Sequence, residues 1–511
     1  MLARVQSCAV LGIDAFPLAI EVDNYPGTNG IFMVGLPDPA VKESKERVTS
    51  AIKNSGFRFP RGNNVINLAP ADMRKEGSAL DLPIAIGMLV ATEQLEGPRI
   101  SDYAVAGELA LDGSVRPVAG ALSMAISIRD RGLRGILVPT ANAEEAGVVQ
   151  GVEVIPVTSL NDAAGFIAGK LDIAPFVTDI SAVFQRRHDD APDLTEVKGQ
   201  AHVKRALTVA AAGGHNMLMI GPPGTGKTML ASRLAGILPD MTFDEALETT
   251  RIYSVSDAAA SKGHLVVQRP FRSPHHTATT VSICGGGTGQ QPHPGEVSLA
   301  HNGILFLDEL PEFNRSALEV LRQPLEEGLV HIRRAMYSVT YPSRFMLVVA
   351  MNPCPCGCRT DPRRECRCSV GEIQRYMGRL SGPLLDRIDL HVDVPALAYE
   401  DLADNRPSGP TSVEVRASVQ AARDRQRARY NGRFTCNAHL DSKTVRHHCV
   451  LGDGAQALLE NAINRLGFSA RAYDKVLRVA RTLADLEAEE RIAQHHVSEA
   501  IQYRTLDRAI L

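Results

Sequence analysis

Eight consecutive residues, Gly221, Pro222, Pro223, Gly224, Thr225, Gly226, Lys227 and Thr228, fit the pattern G-x-x-x-x-G-K-[ST] of a loop that cradles phosphates. Glycines let such a loop turn its backbone N–H groups toward a polyphosphate, and a helix that starts at its end adds a favourable dipole. Lys227 would neutralise the β- and γ-phosphates, and the Thr228 hydroxyl would hold Mg²⁺. A pair of acids, Asp308 and Glu309, closes the apolar run Ile304-Leu305-Phe306-Leu307. There Asp308 can hold Mg²⁺ through water, and Glu309 can activate the water that attacks the γ-phosphate. Asn352 ends another apolar run, Phe345 to Ala350, where its amide can position water as a sensor of the nucleotide; a turn-forming Asn before Pro353 is the plainer reading. Arg387, in Leu384-Leu385-Asp386-Arg387-Ile388-Asp389-Leu390, can act as a finger on a neighbouring subunit's nucleotide or pair with Asp386 or Asp389 in its own chain.

A different chemistry is offered by cysteine. Five of the nine cysteines, Cys354, Cys356, Cys358, Cys366 and Cys368, lie in one short stretch. Thiolates in two close groups suit a tetrahedral Zn²⁺ site, with reduced surface thiols or redox sensing as alternatives, and five thiols leave the ligand set open. His275 and His276 are adjacent, so in a strand they would point apart rather than share a metal.

The elements around these residues follow from their apolar periodicity. Asn216 to Ile220 reads as the strand that enters the phosphate loop, and a helix follows it from Met229. An Ala-rich helix over 201–212, closed by Gly213-Gly214, precedes that strand. Residues 1–175 alternate strands (19–22, 31–34, 65–68) with helices (38–55, 79–95), an α+β pattern. Residues 176–193, with QRRHDDAPD, read as a linker; 194–395 as the α/β nucleotide-binding core; and 396–511 as a helical lid after a loop over 396–410. The lid helices are expected at 413–430, 456–466, 470–487 and 497–506. The first carries Arg416, Arg423, Arg425, Arg427 and Arg429, a basic face that is either solvated or a contact for DNA or another subunit. The fold class is thus α/β.

At 511 residues the chain is too long for a single core, and about three domains are expected at roughly 150 residues each. With 44% apolar and 22% charged residues it reads as soluble, with no membrane partner. The start lacks a signal-peptide cleavage pattern, so a cytoplasmic location is expected. Nine cysteines in that compartment argue against a disulfide framework. A net charge of −3 restricts any DNA contact to local basic surfaces, and the absence of Trp makes base stacking a weak expectation.

In the front domain the order of Gly77-Ser78-Ala79-Leu80 and Gly107-Glu108-Leu109 through Val118 resembles the proteolytic domain of Lon proteases, which shares its fold with a ribosomal S5 domain. The Lys that activates the Ser in that family would fall at about Leu122, so Ser78 reads as a helix cap and the domain as protease-like without protease chemistry. Taken together, GPPGTGKT, ILFLDE, VVAMNPCPCG, SGPLLDRIDL and SARAYDKVLRVARTLADL resemble the magnesium-chelatase-like AAA+ ATPases of the YifB/ComM family, over essentially the whole chain. The resemblance implies ATP and Mg²⁺ as cofactors, Lys227 and Thr228 on the nucleotide, Asp308 and Glu309 as Walker B, Asn352 as sensor 1, Arg387 as a finger in trans, and Arg471 as sensor 2. Through Arg471 the lid would close over the nucleotide. It also implies a structural Zn²⁺ on Cys354, Cys356, Cys366 and Cys368, an insert over 269–296, and a hairpin from His331 to Arg344 whose Arg333 and Arg334 can contact phosphate backbone, a solvated edge being the alternative. The expected function is an ATP-hydrolysing ring motor, a homohexamer acting on DNA in branch migration or as a helicase. A chelatase-type ATPase remodelling a protein partner, met through the front domain, is the alternative, and an ATP-dependent Lon-like protease a lesser one.

Overall fold

The computed structural model describes residues 2–28, 30–71, 75, 77–185, 192–256, 264–287, 292–333, 338–397, 409–466 and 468–504. In the N-terminal part, strands β1 (Leu2–Leu11), β2 (Asp14–Tyr25), β3 (Gly30–Val34), β4 (Asn63–Ala69), β5 (Tyr103–Val105), β6 (Gly135–Pro139) and β7 (Glu153–Val157) form one mixed sheet in the order β3-β4-β2-β1-β5-β6-β7. Helix α1 (Pro39–Asn54) starts where the Asp38 carboxylate accepts from Val41 N at 2.7 Å. Helix α2 (Asp81–Ala91) is buried along its whole length against β1 and β2, which its run of apolar residues requires, and α3 (Ala121–Asp130) and α4 (Leu160–Ile167) follow it in this domain.

The expected helix over 79–95 is shorter in the structure, because Ser78–Leu80 forms a 3₁₀ turn before Asp81 and Glu93 turns to a positive φ of 56°. Ser78 is not the cap: Gly77 holds that position, and the Ser78 hydroxyl donates to Glu108 instead. Glu108 lies 3.5 Å from Arg116, and Leu122 is buried.

The central sheet is all parallel. Strands β8 (Met217–Ile220), β9 (Phe271–Arg272), β10 (Ile304–Leu307), β13 (Met346–Met351) and β14 (Leu390–Asp393) lie in the order β9-β10-β13-β8-β14. Between β10 and β13 the hairpin β11 (Leu329–Arg333) and β12 (Ser338–Pro342) pairs antiparallel outside that sheet. Val330 and Ile332 point into the core, so His331 and Arg333 face outward; Arg334 lies outside the described residues. Helices α5 (Ala201–Gly213), α6 (Lys227–Ile237) and α7 (Phe243–Ser254) accompany the sheet, and α8 (Val370–Met377) follows the cysteines. The lid is α9 (Ser412–Tyr430), α10 (Ala455–Leu466), α11 (Ala470–Leu486) and α12 (Gln494–Gln502), the last starting earlier than its sequence pattern indicates. In the expected linker, Ile180–Gln185 is a short helix.

The lid shares one hydrophobic core with α5 and the central sheet, with Val419, Ala422, Val476 and Leu483 packed among Leu207, Ala210 and Met217. That packing reverses the expectation for α9. Arg423 is buried and donates to Ala211 O at 3.0 Å and Thr435 O at 3.1 Å, Arg416 reaches Gly236 O, and Arg425 and Arg429 reach Asp485. Arg416 and Arg423 thus fasten the lid to the core, while Arg425, still exposed, and Arg429 tie α9 to α11 within the lid. Only Arg427 pairs within its own helix, at 3.5 Å from Asp424.

The front domain docks on α7. Arg251 donates to Asp14 Oδ1 at 2.7 Å and to Ile13 O at 3.0 Å, and Gly120 N donates to Ser254 Oγ at 3.0 Å. Ile13, at the β1–β2 turn, is buried in the core of the nucleotide-binding domain.

Candidate functional site

All strands of a parallel sheet end on the same side, and here the register brings four of them to one edge. Ile220 pairs with Met351 on one side and Asp393 on the other, while Leu307 pairs with Val349. The phosphate loop, Asp308-Glu309 and Asn352 therefore meet at the carboxyl ends of adjacent strands, where open α/β sheets bind ligands. Close approach explains the first glycine: a Cβ on Gly221 would lie 2.1 Å from Val394 O. Gly224 and Gly226 have φ of +77° and +84°, and Gly226 caps α6. Thr225 Oγ1 donates to Pro222 O at 3.0 Å across the loop, and Gln200 Nε2, from the start of α5, holds Thr225 O at 3.0 Å.

Lys227 is buried. Its ammonium donates to Gly221 O at 2.7 Å, Pro222 O at 2.9 Å and Asn352 Oδ1 at 3.1 Å. Burial pushes its pKa below the usual lysine range, against the pull of Asp308 and Glu309. Thr228 Oγ1 donates to Asp308 Oδ2 at 2.5 Å, so a hydroxyl and a carboxylate converge where a Mg²⁺ beside the phosphates needs oxygen ligands. Glu309 sits at a left-handed φ of 52° with its backbone N–H on Asp308 Oδ1, which turns its carboxylate away from the strand into solvent. This donor set fits a nucleoside triphosphate with Mg²⁺: backbone N–H groups at a helix start, one ammonium, one hydroxyl–carboxylate pair and a half-exposed acid.

His276 was legible only as half of a histidine pair. The two residues are not in a strand; their rings stack at 4.0 Å, and His276 Nδ1 comes within 3.6 Å of Glu309 Oε2. The local signal gave no hint of this contact, because it joins the insert to a different strand.

Arg387 and Arg471 lie elsewhere. Asp389 N and Leu390 N both donate to Asn216 O, and Asn216 Nδ2 donates to Arg387 O at 2.9 Å. Asn216 precedes β8 while the phosphate loop follows it, so the two sites are separated by the strand's length, roughly 15 Å. The Arg387 guanidinium donates to Pro383 O and pairs with Glu326, not with Asp386 or Asp389. Arg471, on the first turn of α11, is largely exposed and stands 4.0 Å from Asp386 Oδ2. It shares the Arg387 edge and does not lie over its own chain's phosphate loop, where a sensor 2 arginine would be expected. Arg478 and Arg481 are committed inside the lid, to Ala438 O and to Asp485.

The sulfurs of Cys354, Cys356, Cys366 and Cys368 all lie within 4.8 Å of one another, and the three contacts among Cys354, Cys356 and Cys366 measure 3.4, 3.7 and 3.7 Å. Corners of a tetrahedron about 2.3 Å from a zinc ion are about 3.8 Å apart, so the four fit that ion. Cys358 turns away, its thiol on Cys356 O at 3.4 Å. Backbone N–H groups of Cys358 and Arg367 bring the pKa of Cys356 down to about 6, while burial and the neighbouring sulfurs push the thiols of Cys354 and Cys368 up.

A parallel sheet carrying a phosphate loop, an acid pair on the neighbouring-but-one strand and an Asn at the strand tip between them defines a P-loop ATPase of the AAA+ class. Three family models match: magnesium chelatase subunit ChlI over residues 193–402, subunit ChlI of Mg-chelatase over 20–142, and the ChlI C-terminal region over 409–504. The chain is 46% identical to competence protein ComM of Haemophilus influenzae over 512 residues and 45% identical to YifB of Escherichia coli over 512 residues, in each case across 100% of this chain and 98% of the relative. A Lon protease of Lachnoclostridium phytofermentans is 25% identical over 158 residues, 28% of this chain and 19% of the protease. The chain belongs to the YifB/ComM family of magnesium-chelatase-like AAA+ ATPases. Among the described residues, no helix is long and apolar enough to cross a membrane.

Proposed function

We propose that the chain is an ATP-hydrolysing ring motor that acts on DNA, as a branch-migration or helicase-type factor in recombination. The observation that carries the ring is the split between the two edges of the central sheet. Lys227, Thr228, Asp308, Glu309 and Asn352 occupy one edge, and Arg387 and Arg471 the other. A second copy placed edge to edge would supply the missing positive charge to the γ-phosphate, and repetition of that heterologous contact closes a ring. In this reading Lys227 leaves its carbonyl partners for the phosphates, Thr228 and Asp308 hold Mg²⁺, Asn352 and Glu309 orient the attacking water, and Glu309 takes its proton. Zinc, on the four cysteines, is structural.

DNA as the substrate is supported by the competence name of the Haemophilus relative and by the hairpin β11–β12, which turns His331 and Arg333 outward on one face. Such contacts to phosphate backbone would be independent of sequence and weakened by salt. The test is ATP turnover by the purified chain with and without forked or four-way junction DNA, with Glu309→Gln as the hydrolysis-dead control. Stimulation by DNA that vanishes in the variant is expected; turnover indifferent to every DNA would transfer the proposal to a protein-remodelling ATPase.

A further inference from the structure

The cysteine segment is tied to the nucleotide site at both of its ends and in its middle. It begins at Asn352, whose side-chain oxygen accepts from Lys227 at 3.1 Å. It ends in α8, whose buried Tyr376 packs in the same hydrophobic core as Met351, the residue before Asn352. Midway, the turn at Gly357 rests on the phosphate loop: its φ is +75°, and a Cβ there would lie 2.5 Å from Pro223 Cδ. Yet no apolar core holds this excursion in place. From Pro355 to Val370, Gly357 is the only buried residue, and the segment makes no strand pairing. A polar stretch of this length cannot repay its ordering entropy by burial, so it needs a cross-link, and four converging sulfurs are the group available.

We propose that Cys354, Cys356, Cys366 and Cys368 bind one Zn²⁺ and that this centre holds the Asn352 strand tip and the Gly357 turn against the phosphate loop, so that zinc and nucleotide bind with positive coupling. The inference rests on the reading of Gly221–Thr228 as the nucleotide site. Binding of the ion displaces thiol protons to solvent and requires no oxidant. Cys358, turned away from the other four, is not a ligand. Coupling is reciprocal: whatever factor zinc adds to nucleotide affinity, nucleotide adds to zinc affinity.

The full chain is purified under reducing conditions and its zinc counted by mass spectrometry of the element; one ion per chain is expected. It is then stripped with a zinc-selective chelator and retitrated with Zn²⁺ against a chromophoric competitor, with and without saturating Mg²⁺ and ATPγS. Nucleotide affinity is measured in parallel on loaded and stripped chain. Both affinities are expected to change by the same factor, about fivefold or more. Gly357→Ala keeps every thiol but drives a methyl group into Pro223, so it should still take up zinc while losing most of the coupling. Absence of zinc after reconstitution overturns the proposal, as does equal nucleotide affinity of the loaded and stripped chain. Zinc with coupled nucleotide binding but no ATP turnover would leave the coupling standing and overturn the motor. No nucleotide binding in either form would overturn both.

Discussion

Replacing Arg387 by Ala separates a role within the chain from a role between chains. Among the described residues of its own chain the guanidinium holds only Pro383 O and Glu326, and the Glu326 side chain is 59% exposed. Water screens such a pair, so its loss costs at most about 1 kcal/mol, or roughly fivefold in any rate it influences. A finger that stabilises the charge developing on a transferring phosphoryl group contributes about 10³ to 10⁵ in turnover. Arg387→Ala is therefore expected to lower kcat for ATP by at least about 10³ while the oligomer stays intact, and Glu326→Ala by less than about fivefold. The decisive assay mixes Arg387→Ala with Glu309→Gln chains before ring assembly. Each is inactive alone, but at about one interface in four an intact Glu309 faces an intact Arg387 from its neighbour, so roughly a quarter of native turnover should return. An Arg387→Ala ring that keeps more than about a tenth of native turnover would refute the trans reading, as would mixing that restores nothing.

Two further predictions concern buried polar groups, one set within the lid and one between the lid and the core. Asp485 is fully buried and accepts from Arg429, Arg481 and Asn437, so Asp485→Ala strands the equally buried Arg481 and should cost about 3–5 kcal/mol in urea unfolding; a loss under about 1 kcal/mol would contradict the burial. Burial opposes the charge of Asp389, yet Lys475 and His215, each 3.3 Å away, outweigh it and hold its carboxyl below the usual range. Its folded pKa is depressed, so its contribution is present above the unfolded value near 4 and is lost as the pH falls below it. The thermal midpoint should drop on acidification below about pH 4, and Asp389→Asn should flatten that drop; parallel curves would show that Asp389 carries none of it.

What the sequence determined by itself was the chemistry that depends on near neighbours. The phosphate loop, its strand and its helix are contiguous, so residue types and spacing over Asn216–Leu234 were enough to place Lys227 and Thr228, and the same holds for Asp308-Glu309 at the end of β10. Alternation and turn residues also marked the α/β fold, because those signals are read within one element. Tertiary structure decided what depends on which distant element lies alongside. Ser78 meets Glu108, and His276 meets Glu309, across loops that no local pattern describes. The arginines of α9 read as a solvent-facing or DNA-facing surface until α5 and α11 supplied buried carbonyls and a carboxylate for them. The family resemblance implied Arg471 on its own chain's nucleotide, but strand direction puts it on the opposite edge of the sheet, beside Arg387. The physical reason is the same throughout: local backbone geometry is encoded in residue type, whereas a charge takes its meaning from partners that folding brings in from far along the chain.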